Sequence, residues 1–403
     1  MKTKIFFFSL FFSFIVLSQA QPIQKNQKII SVENNKESVN LLLSMESDLL
    51  MEWDKKIYFI GGQTELTLLN KKNISYNIEY LSSSFYPNKI PQNAGANGAY
   101  HSYKELEQEI NLIEISYPEI AKVYDIGDSL EKRNIYALKV SDNVQLDESE
   151  AKIIFIGCHH AREWISVEIP LLLGQYLTEK YSLLSNIKDL IDKSEIWIIP
   201  MLNPDGLEYS IHYYRYWRKN MRDNGDGTYG VDLNRNYRYK WGYDDKGSSS
   251  YTGSNTYRGP SPFSEPETQA IRDLFVSKHF QALISYHSYS QLILYPWGYI
   301  DTPAQKDDQF NQIGQKMSDL IESVNGNNYK CVQSGKDLYL TNGDTTDWSY
   351  GVYNIPSFTI ELPPVDILHG GFFNAEEDID IIFNENLPAM LYLIEWSIQN
   401  YSS

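Results

Sequence analysis

His160 and Glu163 stand three apart in the stretch Gly157-Cys158-His159-His160-Ala161-Arg162-Glu163-Trp164. That spacing brings an imidazole and a carboxylate onto one face of a turn or helix start. Two such ligands fill half of a catalytic zinc site, which takes three protein ligands and keeps one position open for water. A strand-end histidine beside a local Glu–Arg pair would read the same way, and short motifs of this kind recur by chance. The rest of the chain decides between them.

An apolar β-branched run over 153–156 precedes this stretch and reads as a buried strand. Three further apolar runs end in the same manner. The run over 196–201 leads to Asn203-Pro204-Asp205-Gly206, that over 282–286 to His287-Ser288-Tyr289, and Phe358-Thr359-Ile360 to Glu361. In an α/β sheet the functional crevice lies beyond the carboxyl ends of the strands, so these four ends point to one site. His287 completes two histidines and one glutamate, the open hydrolytic ligand set for zinc.

The elements that must position these residues follow from pattern and punctuation. Lys2 and Lys4, an apolar stretch over 5–17 and Ser18-Gln19-Ala20 make residues 1–20 a signal peptide, hence an exported, extracellular protein. No later apolar run reaches the length needed to span a bilayer. Residues 21–95 alternate as β-α-β-β-α-β, a small ferredoxin-like α+β unit. It carries no ligand cluster and suits a spacer or an inhibitory pro-segment. Ser, Pro, Asn and Gly dominate 82–98, a linker in which Lys89 offers a trypsin-like cut. From 96 to 403 strands and helices alternate, as α/β architecture requires. Helices are expected over 103–117, 168–179, 185–193, 265–278, 308–324 and 376–398, with strands over 134–140 and 195–201. Ser264 with Glu267 three residues on reads as a capping box for the helix at 265. Asp223-Asn224-Gly225-Asp226-Gly227 reads as a turn rather than a calcium loop.

A net charge of −17 argues against a nucleic-acid or anionic-membrane partner. Cys158 and Cys331 are the only cysteines, so no disulfide framework holds the fold; a single bridge between them stays open. Asn73-Ile74-Ser75 and Asn400-Tyr401-Ser402 are glycosylation sequons.

His160-Ala161-Arg162-Glu163-Trp164, Trp217-Arg218-Lys219, Val231-Asp232-Leu233-Asn234-Arg235-Asn236, His287-Ser288-Tyr289-Ser290, Asp347-Trp348-Ser349-Tyr350 and Phe358-Thr359-Ile360-Glu361-Leu362 occur in that order. The chain thereby resembles the zinc metallocarboxypeptidases of the pancreatic carboxypeptidase A/B type, from about residue 100 to 396. Its first segment resembles a shortened activation peptide. The resemblance implies a mixed, twisted central sheet with helices on both faces, and one Zn²⁺ per chain held by His160, Glu163 and His287. His159 competes for the first ligand position but lies one residue too far from Glu163. The resemblance further implies Glu361 as general base and Arg218 as oxyanion stabiliser. Asp232 would orient a ligating imidazole. Asn234 and Arg235 would clamp the substrate's terminal carboxylate, with Tyr339 closing over the bound residue. Arg162, Ser288 and Tyr289 would contact substrate.

Thr346 falls at the pocket floor, where relatives selective for apolar side chains carry an aliphatic residue and those selective for basic ones carry Asp. Asp344 could enter the same pocket, so apolar residues and, more weakly, basic ones are expected. The expected partners are peptides or proteins with a free C-terminus and an activating trypsin-like protease, with no nucleic acid and no membrane, the enzyme acting as a monomer. Two departures stand out: the cysteines do not reproduce the disulfides of the pancreatic enzymes, and Pro363-Pro364 follows Glu361.

Overall fold

The computed structural model describes residues 28–44, 48–53, 55–79, 97–366 and 369–401. The signal peptide, Lys89 and most of the linker lie outside the described residues. The first elements are β1 (Lys28–Glu33), α1 (Lys36–Ser44), β2 (Asp48–Trp53), β3 (Lys56–Gly61), α2 (Gln63–Lys71) and β4 (Tyr76–Glu79). They pair as an antiparallel sheet in the order β2-β3-β1-β4. Alternation along the strands sets its two faces. Ile30, Val32, Ile57 and Phe59 pack against Leu42, Leu66 and Leu69 of the helices. Tyr58 points the other way and packs with Tyr216 and Phe372 of the larger unit.

That unit runs α3 (Tyr103–Ser116), β5 (Ala121–Asp128), β6 (Asn134–Val140), β7 (Ala151–Ile156), α4 (Ile165–Lys180), α5 (Ser185–Ile191), β8 (Ser194–Ile199), α6 (Pro204–His212) and α7 (Pro266–Ser277). It continues β9 (Ala282–Ser288), β10 (Leu292–Tyr295), α8 (Asp307–Asn325), β11 (Lys330–Gln333), α9 (Ser334–Asp337), α10 (Thr345–Tyr353), β12 (Ser357–Leu362) and α11 (Ile379–Gln399). Its sheet has the order β11-β10-β12-β9-β7-β8-β6-β5. The centre is parallel, while β10 meets β12, and β6 meets both β8 and β5, in antiparallel fashion. The sheet is mixed, as expected.

Every residue of β7, β8 and β9 is buried, the pattern of parallel strands covered on both sides. Ile153 and Phe155 face the layer of α4, α8 and α11; Ile154 and Ile156 face α7 and Trp348 of α10. Cys158 and Cys331 are both free thiols, which closes the question of a bridge. Asp223 accepts from the Gly225 amide (2.8 Å) and Asp226 from that of Thr228 (2.9 Å), which makes that stretch a turn.

The expected capping box at Ser264 does not form. Helix α7 starts at Pro266 with Glu265 at its N-cap and no side-chain cap bond. Ser264 Oγ instead donates to Glu265 Oε1 (2.6 Å) and accepts from Asn236 Nδ2 (2.9 Å). Glu267, fully buried, shares the Asn220 amide with Glu265, and its Oε1 has no hydrogen-bond partner. Burial, then the neighbouring Glu265 charge, pushes its carboxyl up to about 8. Between the ordinary carboxyl range and that value only the unfolded chain gains by ionising. Stability should therefore fall as pH rises from about 4.5 to about 8, by up to a few kcal/mol. Glu267→Gln should flatten that slope in urea titrations at pH 5 and pH 8; an unchanged slope would reject the assignment.

Candidate active site

The site is built at the carboxyl ends of three neighbouring strands, β7, β9 and β12. At the end of β7 the chain must turn sharply. A Cβ on Gly157 would stand 2.1 Å from the Ser166 carbonyl oxygen, so only glycine passes. Cys158 follows in the left-handed region at φ 56°, its amide held by Ser166 Oγ at 3.1 Å. The Glu163 amide then bonds the His160 carbonyl (3.2 Å), which closes a turn that sends both side chains the same way. On the adjacent strands His287 and Glu361 are partners in register, so their side chains rise from one face at the same level.

Three donors meet there. His160 Nδ1 lies 2.8 Å from Glu163 Oε1, His287 Nδ1 lies 3.0 Å from Glu163 Oε2, and the two Nδ1 atoms are 3.0 Å apart. The acceptor-only carboxylate behind His160 fixes the tautomer of that ring. His160 Nε2 faces the Asp232 carboxylate at 3.2 Å, and His287 Nε2 faces Ser285 Oγ at 3.0 Å. With a proton on each Nε2, two lone pairs and a carboxylate confront one another. Such a cluster repels itself unless a cation sits among its members, and two imidazoles with one carboxylate suit zinc. Burial favours a neutral Glu163, yet the His160 and His287 imidazoles outweigh it and hold the carboxyl below its ordinary range. Burial also lowers His287, which keeps a lone pair ready for a metal.

Asp232 does two things at once. It caps the turn at Leu233–Arg235 through the Asn234 amide (2.9 Å), and it binds Arg218 Nε and Nη2 at 3.1 and 2.9 Å. Burial alone would raise its carboxyl; the Arg218, His160 and Arg235 charges hold it well below the usual range. Arg218 thus presents its remaining edge, with Nη1 3.8 Å from Glu163 Oε1. Arg235 is anchored through Nε to the Gly247 carbonyl and through Nη1 to that of Asn234, both at 2.8 Å. Its Nη2 makes no hydrogen bond among the described residues. Asn234 Oδ1 accepts from the Thr345 amide (2.9 Å) and hydroxyl (2.8 Å), so its amide nitrogen faces the site.

His160, Asn234, Arg235, His287, Tyr339, Asp344, Thr346 and Glu361 line one pocket, with Leu294, Ser334, Leu338, Thr341 and Thr359 completing the wall. Burial first, then the Glu163 charge, pushes the Glu361 carboxyl well above its usual range, with Arg218 and Arg235 opposing. Tyr339 is 45 % exposed at the lip. Burial of its hydroxyl and the Glu361 charge raise the phenol. Ser288 Oγ is buried without a partner, and the Ser288 amide reaches Glu163 Oε2 at 3.3 Å. Arg162 and Tyr289 both pack on Phe372, at 4.0 and 4.9 Å between centres.

Asp344 takes a role that its sequence context left open. It is the N-cap of α10: Oδ1 accepts from the Asp347 amide (2.8 Å) and Thr346 Oγ1 (2.9 Å), and Oδ2 from Thr341 Oγ1 (2.5 Å). It faces the pocket with no cationic partner among the described residues. The sequence reading missed Ser285 behind His287, although the strand period of two puts it on the ligand's face. It also missed Arg215, which lies 3.8 Å over the Trp164 ring and holds the Arg162 and Phe372 carbonyls (2.6 and 2.8 Å). No helix among the described residues is long and apolar enough to cross a membrane.

Residues 106–389 match the family model for zinc carboxypeptidase. A zinc carboxypeptidase from Saccharothrix mutabilis subsp. capreolus is 36% identical over 281 residues, 66% of this chain and 62% of that protein. Carboxypeptidase B from Astacus astacus is 32% identical over 310 residues, 75% of this chain and 99% of that one. Among solved structures, the crystal structure of thrombin activatable fibrinolysis inhibitor superposes with a TM-score of 0.75 at 26% identity, covering 93% of this chain and 100% of that one. With the family model matching well over half of its length, the chain belongs to the zinc carboxypeptidases, metallo-exopeptidases with one zinc ion per chain.

Proposed function

We propose that this chain is an exported zymogen whose mature form removes single residues from the free C-terminus of peptides and proteins. The observation that carries the reading is the convergence of His160 Nδ1, His287 Nδ1 and a Glu163 oxygen on one point, with both imidazoles backed at Nε2. When bound, the zinc ion polarises the attacking water and the scissile carbonyl. Glu361 takes the proton of that water at its carboxylate and delivers it to the departing amine nitrogen. Arg218, held flat by Asp232, offers its guanidinium N–H groups to the carbonyl oxygen as negative charge develops there. The outward edge of Arg235 and the Asn234 amide bind the terminal carboxylate, a two-pronged match to Arg geometry. That clamp confines cleavage to chain ends. Tyr339 covers the bound residue, while Ser288, Tyr289 and Arg162 line the path of the chain before it.

A peptide with a free C-terminus should release single amino acids, whereas its C-terminal amide should release none. Equal cleavage of both would discard the exopeptidase reading.

Pocket chemistry supports a dual preference. Thr346 and Leu294 accommodate apolar side chains, and the Asp344 carboxylate, with no cationic neighbour among the described residues, attracts Lys or Arg. Its three hydrogen bonds soften that charge, which makes the basic preference the weaker one. Asp344→Asn should lower kcat/KM on C-terminal Lys peptides about tenfold more than on Phe peptides, the scale of one partly screened charge contact. Equal loss on both would assign Asp344 to the helix cap alone.

Latency is supported by Tyr58, which lies buried in one cluster with Phe372, the residue on which Arg162 stacks, and beside Tyr289. A first unit docked through this contact would cover the approach to the site. Limited trypsin treatment of the full chain should raise its activity; full activity beforehand would reject latency.

A further inference from the structure

We propose that His159 is a positioning residue that joins the metal-binding imidazole of His287 to the clamp for the substrate's terminal carboxylate. It is fully buried, and its ring lies nearly parallel to that of His287, 5.3 Å between centres and 19° between planes. His159 Nδ1 stands 3.1 Å from Ser285 Oγ, which stands 3.0 Å from His287 Nε2. On its other side His159 Nε2 stands 2.8 Å from Thr345 Oγ1 and 2.9 Å from the Tyr237 hydroxyl. Thr345 Oγ1 reaches Asn234 Oδ1 at 2.8 Å.

With His287 ligating through Nδ1, donation runs in one direction along this chain, and the longer 3.4 Å approach of Asn234 Nδ2 to His287 Nε2 is then a contact without a shared proton. To ligate through Nδ1, neutral His287 must carry its proton on Nε2 and give it to Ser285 Oγ. Ser285 must then donate its own proton elsewhere, and His159 Nδ1 is the acceptor facing it. That leaves the His159 proton on Nε2, directed at Thr345 Oγ1. Thr345 in turn donates to Asn234 Oδ1, which turns the Asn234 amide nitrogen towards the pocket. Without an acceptor at position 159 the Ser285 hydroxyl can reverse and donate to His287 Nε2. That reversal favours the tautomer with its proton on Nδ1, which leaves no lone pair on the nitrogen that faces the other two donors. One buried side chain therefore sets both the tautomer of a ligand and the facing of the clamp.

The inference rests on His287 as ligand and Asn234 as clamp. Its test uses the full-length zinc-loaded chain for metal affinity, by competition with a chromogenic chelator, and the trypsin-treated chain for kinetics. His159→Phe keeps a ring but neither nitrogen. It should weaken zinc binding about tenfold, the lower end of the effect of losing an orienting partner, and raise KM for a free-ended peptide several-fold. His159→Gln, which can accept from Ser285 and donate to Thr345, should recover most of both. Ser285→Ala should weaken zinc alone, and Thr345→Val should raise KM alone. Parental zinc affinity in His159→Phe, or no recovery in His159→Gln of parental melting temperature, would overturn the proposal. Should His159→Phe fail to fold, unchanged zinc affinity in Ser285→Ala overturns it equally. A parent chain that binds no zinc would instead fault the ligand assignment.

Discussion

Glu361→Gln is expected to lower kcat by about 10³-fold, in the middle of the range for removal of a general acid–base group. The substitution keeps the shape of the side chain and removes its ability to take a proton. Glu361 is not among the metal-binding donors, and among the described residues its carboxylate makes no hydrogen bond that the change would break. Zinc content and melting temperature should therefore match the parent, and KM should change little. The electrostatics point the same way. Burial first, then the nearby Glu163 charge, disfavours a negative charge on Glu361, while Arg218 and Arg235 oppose that effect. A carboxylate balanced in this way has the basicity needed to receive a proton from water and give it up again. Measured kcat within tenfold of the parent, at full zinc occupancy, would remove Glu361 from the proton pathway.

Removal of the metal should have the second large effect, and on two readouts. Exhaustive chelation should reduce kcat/KM by at least about 10³-fold, since the ion supplies several kcal/mol of transition-state stabilisation. Zinc addition should restore it. Unfolding should become easier as well, because an ion that binds only the folded chain stabilises it by about 4 kcal/mol at a thousandfold excess over Kd. The structure gives a reason to expect a strong coupling. Stripped of a cation, the buried cluster of His160, Glu163 and His287 holds donor atoms 2.8–3.0 Å apart. His287→Ala should abolish zinc binding and lower the activity to the chelated level. Activity and melting temperature indifferent to a chelator would end the account of the site.

Much of this was legible along the chain because the central strands are continuous apolar runs, and such runs are read without knowing their partners. His160, Glu163, His287 and Glu361 each follow one of them, and the rule that crevices open at strand ends brought them together before any contact was known. Less legible were β10 and β11, four residues each; β10 is a strand because it pairs with β12, and β11 because it pairs with β10. Ser264 shows the same dependence in reverse. Its local pattern fits a capping box, but hydrogen bonds from Asn236 and to Glu265 claim the hydroxyl, and tertiary contacts win over a local preference of about 1 kcal/mol.

The sequence by itself determined which side chains could bind a metal, move a proton or grip a carboxylate, since those capacities belong to the residue types and to short spacings. Only the tertiary structure decided the direction in which each of them faces. Ser285, His159, Thr345 and Asn234 form one hydrogen-bonded line although they come from four separate stretches of chain. Asp344 caps a helix with one oxygen and holds Thr341 with the other, and Tyr58 crosses from the first unit to the aromatic rim of the second. A hydrogen bond is directional and short, so its partner is set by how distant segments pack, which local spacing does not encode.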